Sequence, residues 1–413
     1  MEKHLDVQFV RQHFPAFNGE TRVQGHFFES AGGSFPCQET IEALNSFYRH
    51  NKIQPGYGFP LSQDGMDKML LSKQRWAEAL GVKANEVGFG PSTSQNTYVL
   101  ANAFRELLKP GDEVIVTNQD HESNTGAIRR AVETAGATLK EWQVDPQSGL
   151  LSIADLHNLM GQSTRLVCFP HSSNITGQKN DAESITKLAH DHGAWTLVDG
   201  VSYVPHVIPD IGSLDCDIYV FSLYKVYSVH QGLMVIRESL LEQLPKQGHY
   251  FKSVLDVNEL LVPAGPDHAQ IAAARGVLDY IETLAAHHGG PLDNLRASVK
   301  FVSGLWQRHE IELIKPLLEF LASVQSVRVL GSLEANSDHC PLVSFAPSGD
   351  SAADLSHILW DQDLMLSHGN YYAPRLLDAV GLDPDAGVVR VSMAHYNDMA
   401  DVQALVKALE PLL

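Results

Sequence analysis

Short apolar runs alternate with amphipathic stretches through the middle of the chain. Residues suited to buried strands recur at 86–89, 113–117, 138–143, 165–169, 194–198 and 217–221. Segments with helical spacing lie among them, up to residue 107, at 153–159 and at 182–192. This alternation predicts an α/β fold, a mostly parallel sheet covered by helices on both faces. Ahead of it are a short helix and loop over 1–20, a strand and small-residue turn over 26–33, and helices at 38–48 and 65–81. A linker at 256–266 leads to a long helix at 269–287. Helices at 294–309, 314–323, 352–362 and 399–412 and strands at 326–330, 341–346 and 388–392 predict a smaller α+β unit. The expected division is 1–20, packing with the smaller domain, then 21–289 as the large domain and 290–413 as the small one. Two domains suit 413 residues.

Polar residues interrupt the pattern where chemistry is expected. Asp199 closes the run at 194–198, and Ser222 and Lys225 follow the run at 217–221. A carboxylate and a lysine at the ends of neighbouring buried strands are costly unless something there uses them. Pyridoxal 5'-phosphate (PLP) uses both: its aldehyde takes a lysine as a Schiff base and its pyridinium nitrogen takes a carboxylate. A structural ion pair is the competing reading. The turn holding Ser92 and Thr93 opens a helix, which makes an anion site or an ordinary N-cap. The glycine fingerprint of a dinucleotide fold is incomplete at Gly88-Phe89-Gly90, and no Walker lysine is present. Taken singly, His121, Asn174 and Arg390 read as a surface histidine, a turn residue and a strand-edge arginine. Together with the others they fall just beyond strand ends, where open α/β sheets bind ligands.

Charge and cysteine content narrow the partners. A net charge of −19 argues against nucleic acid and anionic membranes. No apolar run approaches a membrane span, and the first residues lack a secretory apolar core. Cys37, Cys168, Cys216 and Cys340 are scattered, without zinc spacing, and read as reduced thiols of a cytoplasmic protein. His190, His192, His287 and His288 sit where helices end before glycine, which favours a dipole role over a metal.

The series V-D-G-x-x-x-x-P-H at 198–206, D-x-D-x-Y-V-F-S-x-x-K-x-Y at 215–227, H-x-S-N-x-T-G at 171–177 and R-x-S-x-x-x-Y-N at 390–397 resembles the class V aminotransferase and cysteine desulfurase family of fold type I PLP enzymes. The resemblance implies a seven-stranded, mostly parallel sheet in the large domain and a homodimer. It implies Lys225 as the Schiff-base lysine and acid/base, Asp199 as the pyridinium partner and His121 stacked on the ring. It assigns the phosphate to Ser92, Thr93, Ser222 and Tyr224, and places Asn174 and Ser202 near the ring oxygen. Arg390 and Asn174 then receive the carboxylate of a small amino acid, beside the backbone of Ala31 and Gly32.

Departures from that family are informative. The desulfurase G-H-H-C-A loop reads Gly369-Asn370-Tyr371-Tyr372-Ala373, which puts Tyr372 at the persulfide cysteine. Ser367 replaces an arginine, Ser202 a glutamine, Tyr224 a histidine, and Gly265 a threonine that relatives lend to the partner's phosphate. Asp120 replaces a glutamate. Cys37 is the cysteine expected nearest the site. The resulting expectation is a class V aminotransferase-like enzyme, with a PLP-dependent C–S or β-elimination lyase as the alternative. A non-enzymatic descendant is disfavoured by the intact Lys225 and Asp199.

Overall fold

Alternate side chains along the strands sort into two apolar layers, and this sets the architecture. Val114, Val116, Leu166, Cys168, Ile218 and Val220 join a layer with Leu100 and Phe104 of helix Thr93–Leu107 and Ile128 and Val132 of helix Glu122–Ala135. Ile115, Val167, Phe169, Tyr219 and Phe221 point the other way, toward Trp76 of helix Pro60–Leu80, Ile185 of Ala182–Asp191 and Leu278 of Gly276–His287. Period-two strands with both faces buried need near-continuous apolar runs, which is what the sequence carries.

The structure is a computed structural model that describes residues 4–19, 22–349 and 351–413; the expected boundary at 20/21 lies outside them. Across the large sheet the order is Val87–Gly90, Gly232–Ile236, Ile218–Ser222, Trp195–Asp199, Thr164–Pro170, Glu113–Thr117 and Thr138–Trp142. Gly232–Ile236 runs antiparallel to both neighbours, and the remaining pairings are parallel. The fold class is therefore α/β with a seven-stranded, mostly parallel sheet.

A second sheet, Ser367–Gly369, Val388–Ser392, Leu342–Pro347 and Val327–Leu330, is antiparallel throughout. It packs on Leu313, Leu317 and Leu321 of helix Leu295–Ser323, on Leu355 and Leu359 of Ala352–Trp360, and on Val402 and Leu405 of Met399–Leu409. His26–Phe27 pairs in parallel with Leu364–Met365, and Glu29 bridges Ser392. The early chain thus meets the end of Val388–Ser392. Helix Val7–Gln12 touches both bodies. Arg11 pairs with Asp398 and Asp401 at 2.8 Å each, while Phe9 stacks on His287 at 3.6 Å.

Several elements differ from the sequence expectation. Gly232–Ile236 and helix Glu122–Ala135 were not separated from the motifs next to them. The helices expected at 294–309 and 314–323 form one helix, Leu295–Ser323, with Pro316 inside. The polar stretch between them contains Glu310, which is buried and paired with His206 at 3.1 Å, so the buried stripe is unbroken. The helix expected at 269–287 is two, His268–Ala273 and Gly276–His287. Gly276 explains the close fit there, because a Cβ would lie 2.5 Å from the backbone of Thr40. The expected helix at 65–81 starts earlier, at Pro60, a residue pre-set for a first turn. His190 and His287 end their helices paired with Asp217 and Asp6, at 2.9 and 3.1 Å. Among the described residues no helix is long and apolar enough to cross a membrane.

Candidate active site

The carboxyl ends of the parallel strands converge on a cavity of about 280 Å³. Its wall includes Ser92, Thr93, His121, Asn174, Asp199, Ser202, Ser222, Tyr224 and Lys225. Strand Gly232–Ile236 makes the meeting possible. A Cβ on Gly232 would lie 2.3 Å from the carbonyl carbon of Ser92 and 2.5 Å from the amide of Thr93. Only glycine lets the strand pass so close to that turn. Across the gap Thr93 Oγ1 and Ser222 Oγ lie 2.7 Å apart. Ser92 caps helix Thr93–Leu107 by accepting from the Gln95 amide at 3.1 Å. A helix N-terminus ringed by hydroxyls offers donors and positive potential to an anion.

Lys225 and Asp199 are poorly compensated. Among the described residues the Lys225 amine makes no hydrogen bond and no ion pair; it lies 5.8 Å from the centre of the Tyr224 ring. Burial holds it at about 8, the Arg390 charge pushes the same way, and Asp199 and Glu29 oppose. The Asp199 carboxylate is buried and, among the described residues, accepts one hydrogen bond, from the Val201 amide at 2.8 Å. Burial raises it to about 6, against the pull of that amide and of Lys225.

His121 is held as a neutral ring. Its Nδ1 accepts from the Ser123 amide at 3.0 Å, which leaves the proton to Nε2. Burial lowers it to about 4, helped by Lys225 and Arg390. Asn174 donates Nδ2 to the Tyr371 carbonyl at 2.9 Å. Tyr224 stacks on His230 with centroids 4.8 Å apart. Ala31 lines an adjoining recess together with Ser202 and Lys225. Arg390 and Gly32 do not line the cavity wall. Arg390 reaches it by donating to the Asn174 carbonyl at 3.3 Å.

Cys37, expected nearest the site, does not stand at the cavity. It is fully buried at the start of helix Gln38–His50, bonded to Thr40, with burial pushing its thiol up to about 12. It lies outside the cavity wall, as do the other three cysteines. Tyr372, by contrast, stands at the site, its ring 5.2 Å from His121 and its carbonyl receiving the Glu122 amide at 2.7 Å. Residues that sequence reasoning did not assign also line the wall, among them Ser94, Asp120, Ser123 and His230. Asp120 is held well above the usual carboxylate range by burial and by Asp199, and Asn124 donates to it at 2.7 Å. Its place one residue before His121 was the available signal. His230 gave none.

A lysine and a carboxylate in one cavity, with an anion-ready helix start, define a fold type I PLP-dependent enzyme. Comparison with known proteins says the same. The family described as aminotransferase class-V matches residues 26–285 and 295–405, and the chain belongs to that family. The aminotransferase-like protein FGM3 of Gibberella zeae is 31% identical over 99% of both chains. The cysteine desulfurase-like protein ustD of Aspergillus flavus is 27% identical over 100% of this chain and 92% of its own. The apo structure of a cysteine desulfurase from Thermococcus onnurineus shares the fold, with a TM-score of 0.86 at 23% identity, over 100% of this chain and 98% of that one.

The residues present fit PLP. The cofactor requires an amine, an anion to face its ring nitrogen and donors for its phosphate. Among the described residues the cavity supplies an amine without a partner, a carboxylate with one hydrogen bond, and the hydroxyls of Ser92, Thr93 and Ser222 at a helix start.

Proposed function

We propose that the chain is a class V aminotransferase-like enzyme acting on the amino group of a small amino acid, without a persulfide cysteine. The observation that carries this reading is a cavity that brings Lys225 and Asp199 together and contains no thiol. PLP, when bound, supplies an electron sink for the carbon that bears the substrate amine. Lys225 would hold the cofactor, and its amine, once freed, would take and return the proton at that carbon. Asp199 would hold the proton of the ring nitrogen. His121, neutral and fixed by Ser123, would pack against the ring. Ser92, Thr93, Ser222 and Tyr224 would bind the phosphate, and Asn174 and Ser202 the ring oxygen. Arg390 receives the substrate carboxylate from the Asn174 side, beside the backbone of Ala31 and Gly32.

The domain division at 289/290, a cytoplasmic location and a homodimer complete the reading. The dimer is supported by exposed apolar side chains: Tyr57 and Phe59 stack at 5.9 Å on the surface, and Tyr250 and Phe251 are open to solvent. Gly265 lines a separate groove with Leu70 and Val254, away from the Lys225 cavity. Sedimentation at micromolar concentration is expected to give twice the chain mass; a monomer there would remove the dimer from the proposal.

Incubation with cysteine tests the reaction. No persulfide is expected on any cysteine, because all four are buried and burial raises every thiol. A 2-oxo acid that accumulates with an added amino acceptor supports amino transfer. Sulfide and pyruvate without a persulfide support the C–S or β-elimination lyase instead. A stoichiometric persulfide would restore a desulfurase.

A further inference from the structure

The end of the site that faces the substrate carboxylate carries its own carboxylate. Glu29 Oε1 accepts from Arg390 Nη2 at 2.7 Å, and Glu29 Oε2 accepts from the Ser367 hydroxyl. Arg390 is buried, its Cζ lies 3.7 Å from the Tyr371 ring centroid, and its Nε has no partner among the described residues. Ser367 is the direct cross-strand neighbour of Arg390. Where the resemblance places an arginine at 367, two cations would face each other across this ladder. Here one cation faces a hydroxyl, and a carboxylate is bonded to both.

The surrounding backbone holds that carboxylate in place. Glu29 bridges Ser392, and the Ala31 amide donates to Ser392 Oγ at 3.0 Å, so the turn is stitched to the strand that carries Arg390. Gly32 makes the room, because a Cβ there would lie 2.4 Å from Glu29 Oε1. Glu29 also acts within reach of the chemistry, since its charge raises Lys225 while that of Arg390 lowers it.

We infer that Glu29 is a specificity-determining residue, which keeps Arg390 neutralised so that a substrate carboxylate binds only by displacing it. This rests on the reading of Arg390 as the carboxylate receptor. An incoming carboxylate meets a like charge and must take over the donors that Glu29 holds. A substrate whose facing end is neutral or cationic meets no such competitor. The site therefore takes amino acids through exchange with Glu29, and that exchange lowers the preference for a carboxylate over a neutral end.

The test uses the holoenzyme and propionate, which has the carboxylate but no amine to react. Binding is read by calorimetry in the parent, in Glu29→Gln, and in the double variant Glu29→Gln with Arg390→Gln, which removes both charges together. Glu29→Gln is expected to bind propionate at least about tenfold more tightly than the parent, and the double variant to lose that gain. In parallel, the preference for alanine over ethylamine, as a ratio of kcat/KM, is expected to rise about tenfold in Glu29→Gln. If Glu29→Gln binds no better than the parent while the double variant loses binding, Arg390 receives the carboxylate and the role given to Glu29 is wrong. If all three proteins bind alike, Arg390 is not the receptor either, and both readings fall.

Discussion

Lys225→Ala is expected to leave a folded protein that takes up PLP without a borohydride-reducible bond to the chain. Turnover of any amino acid substrate is expected to fall on the order of 1,000-fold, the scale of losing a positioned acid/base. The physical ground is the solitary state of the amine. Among the described residues it makes no hydrogen bond or ion pair, and it is held at about 8, so that close to neutral pH a usable fraction is unprotonated. An exposed lysine near 10.4 would offer far less free amine. Absorbance, followed by borohydride reduction and peptide mapping, checks the bond in the parent and its loss in the variant. If the reduced adduct maps to another lysine, Lys225 is not the anchor.

Asp199→Asn is expected to act on stability and activity in opposite directions. In the cofactor-free protein burial holds this carboxyl at about 6, whereas the unfolded chain releases its proton near the ordinary 3.8. Between roughly pH 4 and 6 the folded state keeps a proton that the unfolded state has given up. Stability from this group therefore falls as pH rises through that window, and the full penalty stands above it. Removing the charge is expected to raise the melting temperature of the cofactor-free protein at pH 8 and to change it much less at pH 4. With PLP bound, the same variant is expected to turn over on the order of 100-fold more slowly, because a neutral amide does not hold the ring nitrogen's proton. Thermal melts of cofactor-free parent and variant at the two pH values, together with steady-state rates, decide it. A variant that melts alike at both pH values and keeps parental turnover would place Asp199 outside the cofactor's reach. The costly ionised carboxylate reads as a concession of stability at a functional site.

Much of this site was legible because its residues fall in motifs that end strands. The run before Asp199 and the run before Ser222 and Lys225 are apolar on both faces, so each declares a buried strand, and the polar residue that ends it stands out. The turn with Ser92 and Thr93 announces itself as a helix start. Long-range partners were not legible. Glu29 precedes a small-residue turn, and nothing local says that its carboxylate crosses to Arg390, 361 residues away. The antiparallel strand Gly232–Ile236 was hidden for a related reason. It follows the lysine loop at once, and its direction is set by pairing with Val87–Gly90 and Ile218–Ser222 rather than by its own letters. Helix Leu295–Ser323 looks like two in the sequence because Pro316 and a charged stretch resemble a break, while burial of Glu310 against His206 keeps one face inward.

The stitching of the early turn to the strand carrying Arg390 also sets an order of assembly during synthesis. Thr93, Asp199, Ser222 and Lys225 are all translated well before residue 390, and the strands that position them pair with one another. Glu29, though made among the first residues, has to wait for Arg390 and Ser392 before its turn is anchored. At usual elongation speeds that wait lasts on the order of ten seconds or more after Lys225 appears. The strands that position Asp199 and Lys225 are thus complete in the nascent chain before Tyr371, Tyr372 and Arg390, which close the other end of the site, have been made.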